Sequence, residues 1–490
     1  MSSQKLNFLF DTNILIPLEP ASGEDARTGE AVELLRLILV NGHNVFSHPA
    51  SLVDLSRDSD TERRRKTELL VRKYPVLPNP PEISPDLWDV IGNPTKHSND
   101  WVDNSLIAAL AADAVDVLIT EDKQIIRKSY RLGLSRQVLS IKEAKDFILS
   151  LHPSPTIPPP TVVETKVHAL NPKDQIFEGL RVDYPGFDEW LKNCRREHRD
   201  AWVIPGENGL AALCIYKSEA SVYSIRGKIL KLSTFKVSNE HYGNRYGELL
   251  FKAIFNYAFD RGYQYIYFTV FEKHEELIHL AEEFGFRRMS ERTKLGESVL
   301  VKSLTFSMDD LKYFDSLQFN ILFGPRNIKF SDGSGYLVPI QPRFHRLLFP
   351  EFEPQLRLLP ASYPFGNSLK KAYLCNAQVR KIVKGDILVF YRSGDLKAAT
   401  ALGVVEDAIA SSSPSEISRF VGNRTVYSYQ EIEELCSREV LAILFRQSQF
   451  FSTPIPFEAL RSNGVLAGAP QSIVTVPDEG IRWIEHLISM

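Results

Sequence analysis

A chain of 490 residues is too long for one ordinary core, and the usual domain size divides it into about three units. With 43% hydrophobic and 24% charged residues, and no apolar run near the roughly 20 residues that cross a bilayer, the composition excludes a membrane-spanning or fibrous class. A formal net charge of −3 excludes a global pull toward nucleic acid, so any such binding rests on local patches.

The N-terminal "MSSQKLN" passes straight into a strand-like segment without a charged, apolar and small-residue secretory pattern, which predicts a cytoplasmic protein. Cys194, Cys214, Cys375 and Cys436 have no paired spacing and read as reduced core cysteines. Residues 1–150 alternate strand-like and helix-like segments: "NFLF", "TGEAVELLRLILVNG", "NVFS", a long helical region, "DVLIT" and "IKEAKDFILSL". This is the βαβ pattern of a parallel sheet, and open sheets of that kind place ligands at the carboxyl ends of their strands. Asp11 in "FDTNILI" stands at such an end, where it also suits the cap of the following helix. Asp54 and Asp103 fall early in helices, and Asp122 closes the strand "DVLITED". One crevice could hold all four; carboxylates so crowded repel unless a cation joins them, and hard oxygen ligands select Mg²⁺ or Mn²⁺. Such an ion activates water for phosphodiester hydrolysis.

The ordered segments "FDTNILI", "DNSLIAALA" and "VLITEDKQI" resemble the PIN domain, a family of metal-dependent ribonucleases, over residues 5 to about 148. The resemblance implies a parallel α/β/α sandwich with Asp11, Asp54, Asp103 and Asp122 as catalytic metal ligands and Asn13 beside the first. Asp100 and Glu121 compete for places in this set. The dense cations from Arg63 to Lys73 then gain a role against an RNA backbone, beside the alternative of a solvated helix face.

The proline-dense "HPSPTIPPPTVVE" predicts an extended linker over residues 151–165. Residues 166–308 predict a mixed α/β unit: a hairpin in "AWVIPGENGLAALCIYKS", the strand "KILKLSTFKVS", the helix "YGELLFKAIFNYAFDRG" and the strand "YQYIYFTVF". The loop "NEHYGNRYG" enters that helix, and N–H groups at a helix start left open by glycine bind phosphate. With "LAEEFGFRRM" the order resembles the GNAT acetyltransferase family over roughly residues 180–305. The resemblance implies acetyl-CoA, with Tyr242, Gly243, Asn244, Arg245, Tyr246 and Gly247 around its pyrophosphate and the backbone of Phe235, Lys236 and Val237 along its pantetheine arm. Where many relatives carry a tyrosine acid this chain has Ala281, so Glu272, His274, Glu240 and His241 become the candidate substitutes.

Residues 309–490 turn strand-rich, with "GYLVPI", "DILVFYRSG", "AATALGVVEDA" and "REVLAILFRQSQFF" between turns, and predict a small β-barrel. "IVKGDILVFYRSGDLKAATALGVVED" resembles PUA-like domains of the ASCH and EVE type, associated with RNA or modified bases. The resemblance implies a base pocket of Tyr391, Arg392, Ser393, Asn376 and Gln378, joined by Gln471 and Ser472, gripping by stacking and amide hydrogen bonds. Phe390 and Tyr391 alternate along one strand, so one of them must be core.

Together these expectations make the chain a metal-dependent endoribonuclease on structured RNA, tRNA in the simplest case, acting as a toxin or defence factor. An antitoxin, a protein substrate and a second copy in a homodimer are the partners this reading entertains. An acetyltransferase on RNA or an RNA-associated protein, and an acetyl-CoA-sensing RNA-binding protein, are the alternatives.

Overall fold

The computed structural model describes residues 5–15, 28–55, 64, 74–135, 137–151, 161–206, 208–238, 245–352, 368–421, 424–427 and 429–489. The first unit is a four-stranded parallel sheet of β1 (Asn7–Phe10), β2 (Asn44–Phe46), β3 (Val117–Ile119) and β4 (Val138–Leu139) in the order β2-β1-β3-β4. Alternation sorts its side chains: Phe8, Phe10, Val117 and Ile119 enter one core with helices α1 (Thr28–Val40) and α5 (Ile141–Leu151), while Leu9 and Leu118 enter another with α3 (Asn99–Ala111). Both faces are covered, as a sheet of apolar runs requires. Helices α2 (Pro49–Leu55) and α4 (Lys123–Arg131) complete the part of this unit used below. Apart from Arg64, the basic run from Arg63 to Lys73 lies outside the described residues.

The second unit is a seven-stranded sheet in the order β10-β11-β9-β8-β7-β6-β5. It comprises β5 (Val163–Lys166), β6 (Asp200–Gly206), β7 (Gly209–Val222), β8 (Ile225–Val237), β9 (Tyr265–Val270), β10 (Arg287–Arg292) and β11 (Ser298–Ser303). Residues 152–160 of the expected linker lie outside the described residues, and its last part is not linker: Val163 pairs with Val203 as the outer strand of this sheet. Only β8 and β9 run parallel, joined by α7 (Tyr246–Asp260), and α8 (Glu275–Glu283) follows β9; α6 (Phe187–Arg196) covers the opposite face. Phe251, Phe255, Phe284 and Phe286 close the inner core under α7 and α8. Cys194 and Cys214 are free and buried in this unit; in the third unit Cys436 is free and buried and Cys375 free and partly buried.

The third unit, expected as a small barrel, forms a bent sheet among the described residues. Its strands are β12 (Gly335–Ile340), β13 (Lys370–Cys375), β14 (Ile387–Arg392), β15 (Ala398–Ser411), β16 (Val440–Pro456) and β17 (Val474–Val476). They form a six-stranded mixed sheet in the order β13-β16-β15-β14-β12-β17, with β13 and β17 as its two edges. Three register shifts between β15 and β16 bend it, and among the described residues no pairing joins β13 to β17. One face packs on α9 (Ser316–Phe323) and the C-terminal helix Asp478–Ser489. The other, with Tyr336, Phe390, Val405 and Phe445, shares a continuous core with α10 (Pro414–Val421) and with Phe8, Leu35 and Ile38 of the first unit. Arg36 donates to the Val426 carbonyl at 3.3 Å across the same junction. The first and third units therefore do not bury separate cores. No helix among the described residues is long and apolar enough to cross a membrane.

Candidate active site

The second unit contains a cleft built by two parallel strands that part. β8 and β9 are in register only from Ile229 to Leu232, opposite Tyr265 to Phe268. Beyond that point β8 continues to Val237 on β7, and β9 continues to Val270 on β11. Among the described residues the backbone of Ser233 to Val237 thus lacks a strand partner on the β9 side, and its outward N–H and C=O groups face the gap. Ser233 is itself the extra residue of a bulge between Ile215↔Thr234 and Tyr216↔Leu232, which turns β8 away from β9. Its buried hydroxyl has no hydrogen-bond partner among the described residues. The resulting cavity measures about 1030 Å³ and runs from the start of α7 to the apex where the strands part. Leu52, Tyr74, Pro75 and Val76 of the first unit contribute to its wall.

Of the residues expected at a cofactor, Phe235, Lys236, Val237, Arg245, Tyr246 and Gly247 line this cavity. Tyr242, Gly243 and Asn244, with Glu240 and His241, lie outside the described residues. Arg245 adopts a left-handed φ of 55° at the cap of α7. It donates to Glu248 at 2.7 Å, and Glu248 also accepts from Ser368 at 2.6 Å, so the carboxylate in the first helical turn is engaged by a cation and by the third unit. Gly247 allows close packing: a Cβ there would meet Leu280 Cδ2 of α8 at 2.9 Å.

The expected substitutes for the missing tyrosine fare differently. Ala281 is fully buried in the core. Glu272 lies outside the cavity lining and accepts from Ser298, from Arg288 at 2.9 Å and from Arg292 at 3.1 Å. The Ser298 hydrogen bond and the two guanidinium groups hold its carboxyl below the usual range, a poor setting for a base. His274 lines the cavity and bonds Asp183 at 2.8 Å.

Sequence reasoning missed a better placed carboxylate. Glu297 immediately precedes Ser298, which pairs with Val270, so it stands level with the end of β9. It is 6% exposed, lines the cavity, and accepts from Tyr184 Oη and Thr293 Oγ1, both at 2.9 Å. Burial and the Glu297 charge push the Tyr184 hydroxyl well above its ordinary value, so that it remains a donor. The stretch "GESVLV" offered only its place before a strand as a signal.

The acidic set of the first unit is partly brought together. Asp11 is buried and accepts from Thr12 N and Thr120 Oγ1, both at 2.6 Å. Burial raises Asp103 to about 7 despite Lys128, and Asp11, Asp122 and Asp100 push in the same direction as burial. These aspartates are therefore within electrostatic reach of one another. Asp122, however, spends its carboxylate capping α4, accepting from Gln124 N at 2.6 Å and Ile125 N at 3.3 Å. Asn13 donates to Thr120 Oγ1 at 3.4 Å. Glu121 turns away to accept from Ile141 N at 2.9 Å, and Asp100 pairs with Lys128 at 3.1 Å. The side chain of Asp54 lies outside the described residues. Among the described residues no three His, Cys, Asp or Glu side chains are grouped to hold a metal ion. Of the expected Mg²⁺ or Mn²⁺ ligands, Asp11 and Asp122 are engaged in hydroxyl and backbone hydrogen bonds, and the Asp54 side chain that would complete the set lies outside the described residues.

The expected base pocket does not assemble. Tyr391 is 4% exposed and packs among Leu337, Val389 and Leu402, while Phe390 fills the opposite core. Because both faces of the sheet are covered, alternation buries both rings and leaves neither free to stack. Arg392 is buried and paired with Asp395 at 2.9 Å, and Ser393 donates to the Ile340 carbonyl at 3.1 Å. Asn376 donates to the Leu435 carbonyl at 2.9 Å; Gln378, Gln471 and Ser472 are exposed.

Residues 168–286 match the Acetyltransferase (GNAT) family, and the chain therefore carries a GNAT acetyltransferase domain. Among solved structures, a GNAT family acetyltransferase from Elizabethkingia anophelis with acetyl-CoA bound is similar at 12% identity and a TM-score of 0.23, over 29% of this chain and 97% of that one. An N-acetyltransferase from Staphylococcus aureus Mu50 is similar at 12% identity and 0.22, over 29% and 97%. ASCH from Zymomonas mobilis is similar at 15% identity and 0.25, over 31% and 94%. No curated protein matches the chain.

Proposed function

We propose that this protein transfers an acetyl group from acetyl-CoA to an amine in the cleft between β8 and β9. The observation that carries this reading is the open strand edge of Ser233 to Val237, leading from the start of α7 to the buried carboxylate of Glu297. Acetyl-CoA supplies the activated thioester. The free backbone groups suit an amide-bearing arm, and the N-terminus of α7 beside Arg245 suits phosphate. Glu297 holds an incoming ammonium and accepts its proton, with Tyr184 and Thr293 fixing the carboxylate. Ala281 has no proton to give, so the one that reaches the departing sulfur comes from the attacking nitrogen. Acetyl-CoA at 100 times its dissociation constant is expected to stabilise the native state by about 2.7 kcal/mol, read as a rise in Tm and confirmed by calorimetry. The absence of both the rise and the binding heat would refute the assignment.

A second reading, hydrolysis of RNA by a PIN-like first unit, is supported by one observation: Asp103 held near neutrality by burial and by Asp11, Asp122 and Asp100. A divalent cation would relieve that repulsion. Between the ordinary carboxyl value of 3.8 and about 7 the folded protein holds a proton at Asp103 that the unfolded chain has lost, so stability falls as pH rises through this window. Asp103→Asn is therefore expected to melt above the wild type at pH 8, with the gap closing toward pH 4. If the site takes a cation, Mn²⁺ raises the wild-type Tm at pH 8 and leaves the variant unchanged; an equal response in both speaks against the nuclease.

A further inference from the structure

Three cations stand side by side across the sheet just behind the apex of the cleft. Lys217 on β7 pairs with Lys231 on β8, and Lys231 pairs with Tyr267 on β9. Arg199 precedes Asp200, which pairs with Tyr216, and so stands level with Lys217. Like charges opposite one another in a ladder destabilise it. Two of the three are offset, Arg199 by Glu197 and Lys217 by Glu219, each at 2.7 Å. Lys231 is different: its ammonium lies 5.4 Å from the Tyr267 ring centroid and has no ion pair among the described residues. Burial, opposed by Glu219, holds it below the ordinary lysine value. The carboxylate nearest in charge to Lys231, that of Glu219, is already held by Lys217 and by Tyr267, so a half-buried cation is left only partly compensated, and a ligand that brings an anion lowers the cost. All three cations line the same cavity as Glu297, at the level where β8 and β9 are still paired.

Resting on the acetyl-transfer reading, we propose that the acceptor is a primary amine that also carries an anionic group, an α-amino acid in the simplest case, with its ammonium at Glu297 and its anion at Lys231. Trp190 and Tyr184, on the same wall, suit an apolar side chain. In the reaction the nitrogen forms its bond to the acetyl carbon as the carbon–sulfur bond breaks. Of the two protons the ammonium sheds, one passes to Glu297 and on to water and the other to the sulfur; the anionic group is unchanged. A polyamine would instead meet a row of like charges.

The test compares phenylalanine, O-phosphoethanolamine, phenylalaninamide and spermidine as acceptors, with binding of each amine measured by calorimetry with and without acetyl-CoA. At least one of the two anionic amines is expected to exceed the amide and spermidine by tenfold or more in kcat/KM and in affinity. Which of the two is preferred separates a carboxylate from a phosphate. Lys231→Met should abolish the preference while acetyl-CoA still binds, and Lys231→Arg should retain it; a melt of each variant verifies folding. Equal or better use of the amide or spermidine, a preference that survives in Lys231→Met, or acetyl-CoA binding with none of the amines taken would each overturn the acceptor class. Absence of acetyl-CoA binding defeats the acetyl-transfer reading instead, and equal heats for phenylalanine and its amide without cofactor would then overturn the anion site independently.

Discussion

Glu297→Gln is expected to lower kcat for acetyl transfer by about 10²- to 10⁴-fold, the usual range for loss of a general base. Glutamine keeps the length of the side chain and an oxygen that can still accept from Tyr184 or Thr293, whose bonds of 2.9 Å hold the native carboxylate. It cannot take a proton. Acetyl-CoA binding should survive, because the open edge of β8 and the start of α7 are untouched. The loss should appear in kcat measured by product formation. A fall of less than about threefold would move the base elsewhere, with His274 next in line because it lines the same cavity.

Lys302→Met is expected to destabilise the fold by about 1 to 3 kcal/mol, the scale of leaving a buried polar group unsatisfied. Lys302 on β11 is 1% exposed, and its ammonium donates to the carbonyls of Phe284 at 2.8 Å, Ile321 at 2.9 Å and Leu322 at 3.2 Å. Phe284 ends α8, and Ile321 and Leu322 form the last turn of α9, so one side chain satisfies helix-end carbonyls on two elements and pins them to the sheet. Methionine fills much of the same space but donates nothing. Chemical denaturation, followed by circular dichroism, should show the shift in midpoint at unchanged slope. A loss within about 1 kcal/mol would mean that water or a rearranged turn satisfies the carbonyls.

Local pattern made much of the scaffold legible. Phe8, Leu9 and Phe10 read as a buried parallel strand because three consecutive apolar residues need cover on both sides, and the structure supplies it from α1 and α5 on one side and α3 on the other. The glycine-bearing loop before "YGELLFKAIFNYAFDRG" placed a helix start near Tyr246, where α7 begins. Phe235, Lys236 and Val237 were singled out only through the GNAT resemblance, and they line the cavity.

What was not legible depended on partners far away in the chain. Tyr391 and Phe390 stood out as an aromatic pair, but strand periodicity says only that they face opposite ways, not that both faces are covered. Asp122 satisfied a spacing for metal ligands and, equally, the cap that it forms. Glu297 was invisible because nothing around "GESVLV" marks it; it acquires a setting only when β11 pairs with β9 and brings Tyr184, 113 residues away, onto its carboxylate.

The order and type of the elements, the parallel sheet of the first unit and the strand–loop–helix that carries the GNAT resemblance were determined by the sequence itself, since apolar periodicity, turn residues and helix starts are local properties. The parting of β8 from β9, the row of Arg199, Lys217 and Lys231, the burial of Lys302 and the core shared by the first and third units were decided only in the tertiary structure. Each depends on strand register or on contacts between distant segments, such as Arg36 with Val426. Register is set by which faces find cover, and cover is a property of the assembled chain.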